Sequence, residues 1–311
     1  MVKAVVSLLT AVAKTTRRFE SFPFSANFFA ARLCEWLVKE VKMNGSDDRL
    51  PTWSMIMTGT QLLRRVRGKI RTPWPLYRTL HRREEWFECP ICGYNGPFAT
   101  ARAFAGPRRY AVCPQCNGLE RHRLQYLVMA EALTGLDGHV KMLHFAPEKF
   151  FRQMFSERFA QYETADLFMD GVDHKVDIRA LPFEDATYDV VFASHVLEHI
   201  REDRIAIGEI RRVLRPNGVA VLPVPIVCEK TIEYSCANPY EAGHVRAPGT
   251  DYFERYKEYF ERVEVWSSDS VPQRYQPFIY EDRARWPTAE CPLRPPMHGS
   301  KHADFVPVCY V

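Results

Sequence analysis

Two neighbouring stretches decide the fold: VDIRALPFEDATYDVVFASHVLEHI, residues 176–200, and DRIAIGEIRRVLRPNGVAVLPVPIV, residues 203–227. Tyr188–Ala193 is a continuous apolar run with a β-branched bias, which predicts a strand covered on both faces. Val176–Ile178 is a short β-type run, and Val219–Val227 is predicted as the next buried strand.

A helix is predicted between the last two strands. From Asp203 to Leu214 the apolar residues recur at helical spacing, and the turn Arg215-Pro216-Asn217-Gly218 ends the helix. Strand, helix, turn and strand indicate a right-handed βαβ crossover in a mostly parallel sheet.

The phrases LPFEDATYDVVFASHVLEHI and EIRRVLRPNGVAVLPVP resemble the class I S-adenosylmethionine (SAM) methyltransferases, in particular the branch that methylates small molecules. The resemblance implies an α/β fold, with a Rossmann-like sheet of seven strands over residues 119–311. Glu261–Trp266 and Phe305–Val311 are expected to be its last two strands, the final one inserted antiparallel.

A cysteine pattern precedes this region. Cys89-Pro90-Ile91-Cys92 and Cys113-Pro114-Gln115-Cys116 form two CxxC pairs with 20 residues between them. Four thiolates give the closed tetrahedral shell of structural zinc, so we expect a small zinc ribbon that holds Zn²⁺. Gly93 and Gly118 suit turns that need a positive φ. Two disulfides or a redox CxxC are the alternatives; a cytoplasmic chain disfavours the disulfides, and a redox CxxC would need only one of the two pairs.

The resemblance also implies a cofactor site at the carboxyl edge of the sheet. The loop after the first strand has no glycine, unlike the loop usual in the family, and an Ala-Pro pair stands there instead. Asp166 is expected to accept hydrogen bonds from the SAM ribose, and Asp177 to meet the adenine amino group. The full set of expected SAM-binding residues is His144, Phe145, Ala146, Pro147, Glu148, Asp166, Asp177, Ile178, Leu181, Ser194 and His195.

His195 is the candidate general base, since it is expected near the sulfonium; packing against the cofactor is the alternative role. His244 and Arg246 belong to an HxR segment where the substrate enters in relatives, so they are candidate substrate ligands. A salt bridge that fixes this loop is the alternative for Arg246. The irregular insertion 267–304 is expected to act as a substrate lid.

Residues 1–85 form a helical and basic N-terminal region, 86–118 the ribbon-like module and 119–311 the methyltransferase domain. From Arg49 to Arg83 there is no acidic residue, which indicates either a nucleic-acid or anionic-membrane patch or a solvated face. No apolar run approaches the ~20 residues that span a bilayer, so we expect no membrane span and a cytoplasmic location.

The sequence therefore predicts a SAM-dependent methyltransferase whose partner is a small or medium-sized polar acceptor molecule. An RNA-directed methyltransferase is the first alternative, because a basic segment and a ribbon are typical of RNA-binding proteins. A non-catalytic binding protein on a decayed SAM fold is the second, because the first loop lacks glycine.

Overall fold

The computed structural model describes residues 73–103, 106–136, 139–288 and 293–311. Most of the basic segment Arg49–Arg83 lies outside the described residues. Within the described ranges, every helix is too short or too polar to cross a membrane.

The described chain forms five α-helices and thirteen strands. The helices are α1 Trp74–Leu80, α2 Glu120–Ala132, α3 Lys149–Arg158, α4 Asp203–Val213 and α5 Glu254–Lys257. The strands are β1 Phe87–Glu88, β2 Asn95–Gly96, β3 Ala99–Ala103, β4 Gly106–Val112, β5 Lys141–Phe145, β6 Gln161–Asp166, β7 His174–Lys175, β8 Tyr188–Ala193, β9 Leu214–Val221, β10 Ile232–Asn238, β11 His244–Ala247, β12 Arg262–Ser267 and β13 Phe305–Tyr310.

Seven strands form the central sheet in the order β12-β13-β9-β8-β5-β6-β7. The pairs β9–β8, β8–β5, β5–β6 and β6–β7 are parallel, whereas β13 is antiparallel to both of its neighbours. This order confirms the predicted Rossmann-like sheet with an antiparallel strand inserted next to the edge.

Two predicted strands differ from the structure. β7 ends before Val176–Ile178, because Asp177 starts a turn in which its carboxylate accepts a hydrogen bond from the Arg179 amide. β9 ends at Val221 instead of continuing to Val227. Pro223 and Pro225 follow, and proline has no amide hydrogen for a strand ladder.

The core lies on both faces of the sheet. In β8, Val190 and Phe192 face α2 and α3, and Val191 faces α4 and α5 on the opposite side. This alternation, with every member buried, explains why the strand reads as an unbroken apolar run. The helix predicted from Asp203 is confirmed as α4, whose Ala206, Ile207, Ile210 and Val213 are completely buried.

The cysteine module consists of the short hairpins β1–β2 and β3–β4. Helix α1 packs on it through Trp74, whose ring centroid lies 6.0 Å from that of Tyr94. On the other side, the Arg109 amide donates to the Tyr280 carbonyl, a 3.0 Å bond to the insertion. The module is thus in direct contact with the C-terminal part of the chain.

Candidate functional site

The four cysteines of the two CxxC pairs converge, and all four sulfur atoms lie within 4.8 Å of one another. The Sγ atoms of Cys89 and Cys116 are 3.7 Å apart, and those of Cys92 and Cys113 are 3.6 Å apart. Four sulfurs bonded to one zinc at about 2.3 Å lie about 3.8 Å from each other. The separations fit a tetrahedral thiolate site and are far longer than the bond of about 2.05 Å in a disulfide.

Each cysteine pair is held in a tight turn. The Gly93 amide donates to the Cys89 carbonyl, and the Asn117 amide donates to the Cys113 carbonyl, both at 2.9 Å. Gly93 has the expected positive φ of 72°, but in the second turn Asn117, at 65°, takes the left-handed conformation instead of Gly118. Asparagine tolerates this conformation better than most residues. The prediction of a positive φ at Gly118 was therefore wrong.

The loop after β5 contains a residue in the left-handed backbone conformation. Ala146 has a φ of 47°, and α3 begins three residues later without a side-chain N-cap. Pro147 lies between them, and Glu148 accepts hydrogen bonds from Arg121 at 2.9 Å and His122 at 2.8 Å. Burial alone raises the pKa of Glu148, but these two neighbours outweigh it and hold the pKa at about 2.

His144 and Phe145 lie in the core at the end of β5. The His144 ring packs against Phe155 and Phe192, and its Nδ1 is 2.8 Å from the Tyr162 hydroxyl. Burial lowers the pKa of His144 to about 3, so the ring is neutral at pH 7. These contacts place the His144 side chain in the aromatic layer between the sheet and α3.

The two expected nucleoside ligands follow β6 and β7. Asp166 Oδ1 accepts the amides of Phe168 and Met169, both at 2.7 Å. Asp177 forms an ion pair with Arg179 at 2.6 Å. The hydrogen bonds from the side chain and amide of Arg179 hold the pKa of Asp177 below its ordinary value.

The residues expected beside the adenine and the sulfonium flank β8. Ile178 and Leu181 are buried in the core between the sheet and α4. Ser194 donates to Gln125 Oε1 of α2 at 3.2 Å. The structure thus distributes the expected cofactor residues along one edge of the sheet.

His195 follows β8 in a left-handed backbone conformation, with a φ of 55°. Its amide donates to the Pro223 carbonyl at 2.9 Å, which joins the ends of β8 and β9. Its Nδ1 lies 3.2 Å from Glu198 Oε1, and Glu198 is completely buried. Burial raises the pKa of Glu198, but His195 and other nearby histidines outweigh it and lower the pKa below its ordinary value.

His195 also lines a cavity of about 230 Å³ beyond the carboxyl ends of the central strands. Its wall carries four arginines and four acidic residues, together with apolar residues from the chain after β9. The charged residues are Arg108, Arg121, Arg283, Arg294, Glu120, Glu241, Glu281 and Asp304. The cavity is suited to a small polar molecule, because charged side chains surround a confined volume.

Arg246 is almost fully buried, and its guanidinium donates hydrogen bonds to the surrounding backbone carbonyls. The group donates to the carbonyls of Leu197 and Ile200 at 2.7 and 2.6 Å, and to the carbonyl of Arg201 at 2.9 Å. It also pairs with Glu233 at 3.0 Å. These contacts favour the alternative in which Arg246 fixes the loop.

His244, in contrast, lines the cavity. Its Nε2 lies 4.0 Å from Glu198 and its Nδ1 lies 3.7 Å from Glu241. Burial lowers the pKa of His244 to about 4. The two residues of the HxR segment therefore have different surroundings. Arg246 is bonded to backbone carbonyls, whereas His244 faces the cavity.

Comparison with known proteins finds a family match for part of the chain. Residues 115–222, from the second CxxC pair to the end of β9, match the family described as "Methyltransferase domain". The chain carries a class I SAM-dependent methyltransferase domain.

A curated relative in Streptomyces fradiae is an uncharacterized 37.1 kDa protein in transposon TN4556. The two chains are 41% identical over 58 residues, which is 19% of this chain and 17% of the relative. The chain thus matches about a sixth of the length of that relative.

Solved structures with a similar fold include the [4+2]-cyclase SpnF, at a TM-score of 0.38 and 17% identity, covering 50% of this chain and 64% of SpnF. Another is Haemonchus contortus phosphoethanolamine N-methyltransferase 2 in complex with SAM. Its TM-score is 0.37 and its identity 20%, covering 46% of this chain and 38% of that enzyme.

None of the four acidic residues of the cavity wall was predicted from the sequence, and Glu120 and Asp304 are two of them. Glu120 is 1% exposed and lies 3.2 Å from Arg108 Nε, and Asp304 is 5% exposed. Burial raises the pKa of both carboxyls, although Arg108 opposes this for Glu120 and His195 opposes it for Asp304. A signal for Glu120 existed, because it precedes the buried Leu124 and Val128 at helical spacing.

The insertion supplies a wall of the cavity through Ile279, Glu281 and Arg283. Arg283 pairs with Glu281 at 3.0 Å and donates to the Ile226 carbonyl at 3.3 Å. Trp286, which follows, is 3% exposed. This part of the insertion is packed onto the chain after β9.

Proposed function

We propose that this protein transfers the methyl group of SAM to a small polar molecule held in the charged cavity beside His195. The observation that carries the proposal is the position of the cavity, at the carboxyl edge of the sheet, where open α/β folds bind ligands. His195 belongs both to this edge and to the cavity wall, so a cofactor and an acceptor would meet at that residue.

The residues after β5 and β6 fit SAM. The left-handed Ala146 lets the backbone turn closely, and the uncapped first turn of α3 offers amides to a carboxylate. Asp166 uses Oδ1 for its own turn, and Oδ2 accepts no hydrogen bond from the described residues. That oxygen would accept a ribose hydroxyl, and the activated methyl group is what SAM supplies.

The role proposed for this chain is to align the acceptor, exclude water and remove a proton where the acceptor atom carries one. In the tautomer that places the His195 proton on Nδ1, toward Glu198, Nε2 is the basic nitrogen. His195 is therefore the proposed base, held by a carboxylate that is itself buried.

We propose the domain division 1–85, 86–118 and 119–311, with part of the insertion 267–304 enclosing the acceptor. The contacts of Arg283 support this role for the insertion. Arg108 of the cysteine module supports a role for the module as a further wall. A structural Zn²⁺ and a cytoplasmic location are parts of the same proposal.

Calorimetric titration of the zinc-loaded protein with SAM and with S-adenosylhomocysteine tests the cofactor site. Asp166→Asn keeps an acceptor for the turn but removes the charge, and we expect it to weaken binding about tenfold, equivalent to 1.4 kcal/mol. Asp170→Asn is the matched control, because this nearby side chain is 94% exposed. Absence of binding in the folded wild-type protein would favour the non-catalytic binding protein.

The acceptor class is tested by incubating the protein and methyl-labelled SAM with separate RNA and small-molecule fractions of a cell extract. We expect label in the small-molecule fraction, since the cavity encloses about 230 Å³. Label confined to RNA would support the RNA-directed alternative, and label in neither fraction would contradict methyl transfer to a small molecule.

A further inference from the structure

A second group of metal-binding side chains lies between the chain after β8 and the start of β11. Glu198 and His199 belong to a short 3₁₀ helix, Leu197–His199, and His244 begins β11. One ligand atom from each of the three residues lies within 4.8 Å of the others. The ring centroids of His199 and His244 are 4.7 Å apart, with the rings nearly perpendicular at 86°.

The carboxylate of Glu198 lies in the interior, with histidine side chains as its ionisable neighbours. Its side chain is completely buried, and neither oxygen accepts an aligned hydrogen bond from the described residues. Glu198 Oε1 lies 3.2 Å from His195 Nδ1 and 4.0 Å from His244 Nε2. An ionised carboxylate in the interior costs several kcal/mol unless a charge or donors compensate it.

We propose that Glu198, His199 and His244 bind a divalent transition-metal ion at the edge of the charged cavity. Two imidazoles and one carboxylate suit Zn²⁺ or Co²⁺, whereas Mg²⁺ and Ca²⁺ prefer oxygen ligands alone. Ligands of tetrahedral zinc lie about 3.4 Å apart, so the side chains close in by roughly 1 Å on binding. His199 is exposed, which gives the ion a route from solvent.

The neighbours of the three ligands support the site. His195 Nδ1 lies beside Glu198, and Glu241 Oε2 lies 3.7 Å from His244 Nδ1, opposite the nitrogen that faces Glu198. A carboxylate behind a metal-binding histidine is a common arrangement, because it fixes the tautomer and orients the ring. Three protein ligands leave one position open, and His244 and Glu241 both line the cavity.

This site is separate from the cysteine site, which four thiolates close. Its ion would lie where a molecule in the cavity can supply the fourth ligand. Binding of the ion is measured without SAM or an acceptor, so the outcome does not depend on methyl transfer.

The test is the zinc content of the full chain after equilibrium dialysis against Zn²⁺, measured by mass spectrometry of the metal. Glu198→Gln and His244→Gln should each bind one Zn²⁺ fewer per chain than the wild type. His139→Gln, which replaces an exposed histidine elsewhere, should match the wild type. Equal zinc content in the wild type and in Glu198→Gln would overturn the proposal and favour a simple His195–Glu198 ion pair.

A measurement on the wild type guards against a folding defect in the variants. Zn²⁺ is added to protein that holds one equivalent of zinc, at the four cysteines, and the imidazole nitrogen resonances are followed by NMR. We expect the resonances of His199 and His244 to shift until one equivalent is bound, while that of His139 stays in place. Unchanged His199 and His244 resonances would also overturn the proposal.

Discussion

Replacement of Arg123 by methionine should destabilise the protein more than any loss of a surface arginine. Arg123 lies on α2, is completely buried, and its guanidinium lies over the Phe98 ring at 4.3 Å. From α2 it donates to five backbone carbonyls, in the cysteine module and in the insertion. They belong to Tyr110, Ala111, Gly118, Tyr275 and Gln276.

The magnitude follows from which carbonyls lose their donor. Gly118 keeps a bond from the Cys113 amide, and Tyr110 keeps one from the Gln276 side chain. For the other three carbonyls, no donor outside the strand ladders replaces Arg123 among the described residues. A buried polar group without a partner costs about 1–3 kcal/mol. Because methionine avoids the cost of burying a charge, we expect a net loss of about 3–5 kcal/mol.

The assay is urea denaturation of wild-type and variant protein, followed by far-ultraviolet circular dichroism. Arg204→Met is the control, because it removes an arginine of the same size whose side chain is 50% exposed and paired with Glu258. A surface pair contributes about 0–1 kcal/mol. If Arg123→Met costs no more than Arg204→Met, the reasoning that Arg123 ties these three segments together is refuted.

Two further predictions concern the metal and the core. Cys89→Ser or chelation should lower the midpoint of thermal unfolding by more than about 10 °C, since a structural zinc contributes about 10–16 kcal/mol to folding; the exposed Cys236→Ser is the control, and an unchanged midpoint would remove the zinc site. Burial lowers the pKa of His144 to about 3 in the folded protein. Below pH 6.5 the unfolded chain therefore binds a proton that the folded chain does not bind. The free energy of unfolding should fall by about 2 kcal/mol between pH 7 and pH 5. His144→Phe should lose that part of the pH dependence in denaturation curves, and equal slopes for the two proteins would contradict a neutral buried histidine.

The fold could be predicted where local pattern and tertiary position agree. The apolar residues of Tyr188–Ala193 and, apart from the exposed Ile205, those of the helix from Asp203 are buried, so periodicity alone locates both elements. The CxxC spacing likewise predicts convergence of the cysteines. The end of β9 could not be read from apolar content, because the residues after Val221 are buried without a strand ladder.

The candidate site was harder to predict than the fold. Its cavity combines Arg108, Glu120 and Asp304, which belong to β4, α2 and the end of the insertion and share no local pattern. Arg246 shows the opposite difficulty, because a local motif predicted a role that the fold does not favour. The HxR segment indicated a substrate ligand, whereas the guanidinium donates hydrogen bonds to backbone carbonyls. A sequence shows which residues carry charge, but their partners depend on the tertiary fold.

The cysteine module and the cavity are coupled through a short piece of chain. The Cys113 amide donates to the Gly118 carbonyl, which also accepts from Arg123, and Glu120 enters the cavity two residues after Gly118. Any movement of the second cysteine turn therefore displaces the first turn of α2. Because a metal on four thiolates would fix that turn, the same metal would set the position of Glu120 in the cavity wall. A ribbon joined without a linker is therefore better explained as part of the cavity than as an independent binding module.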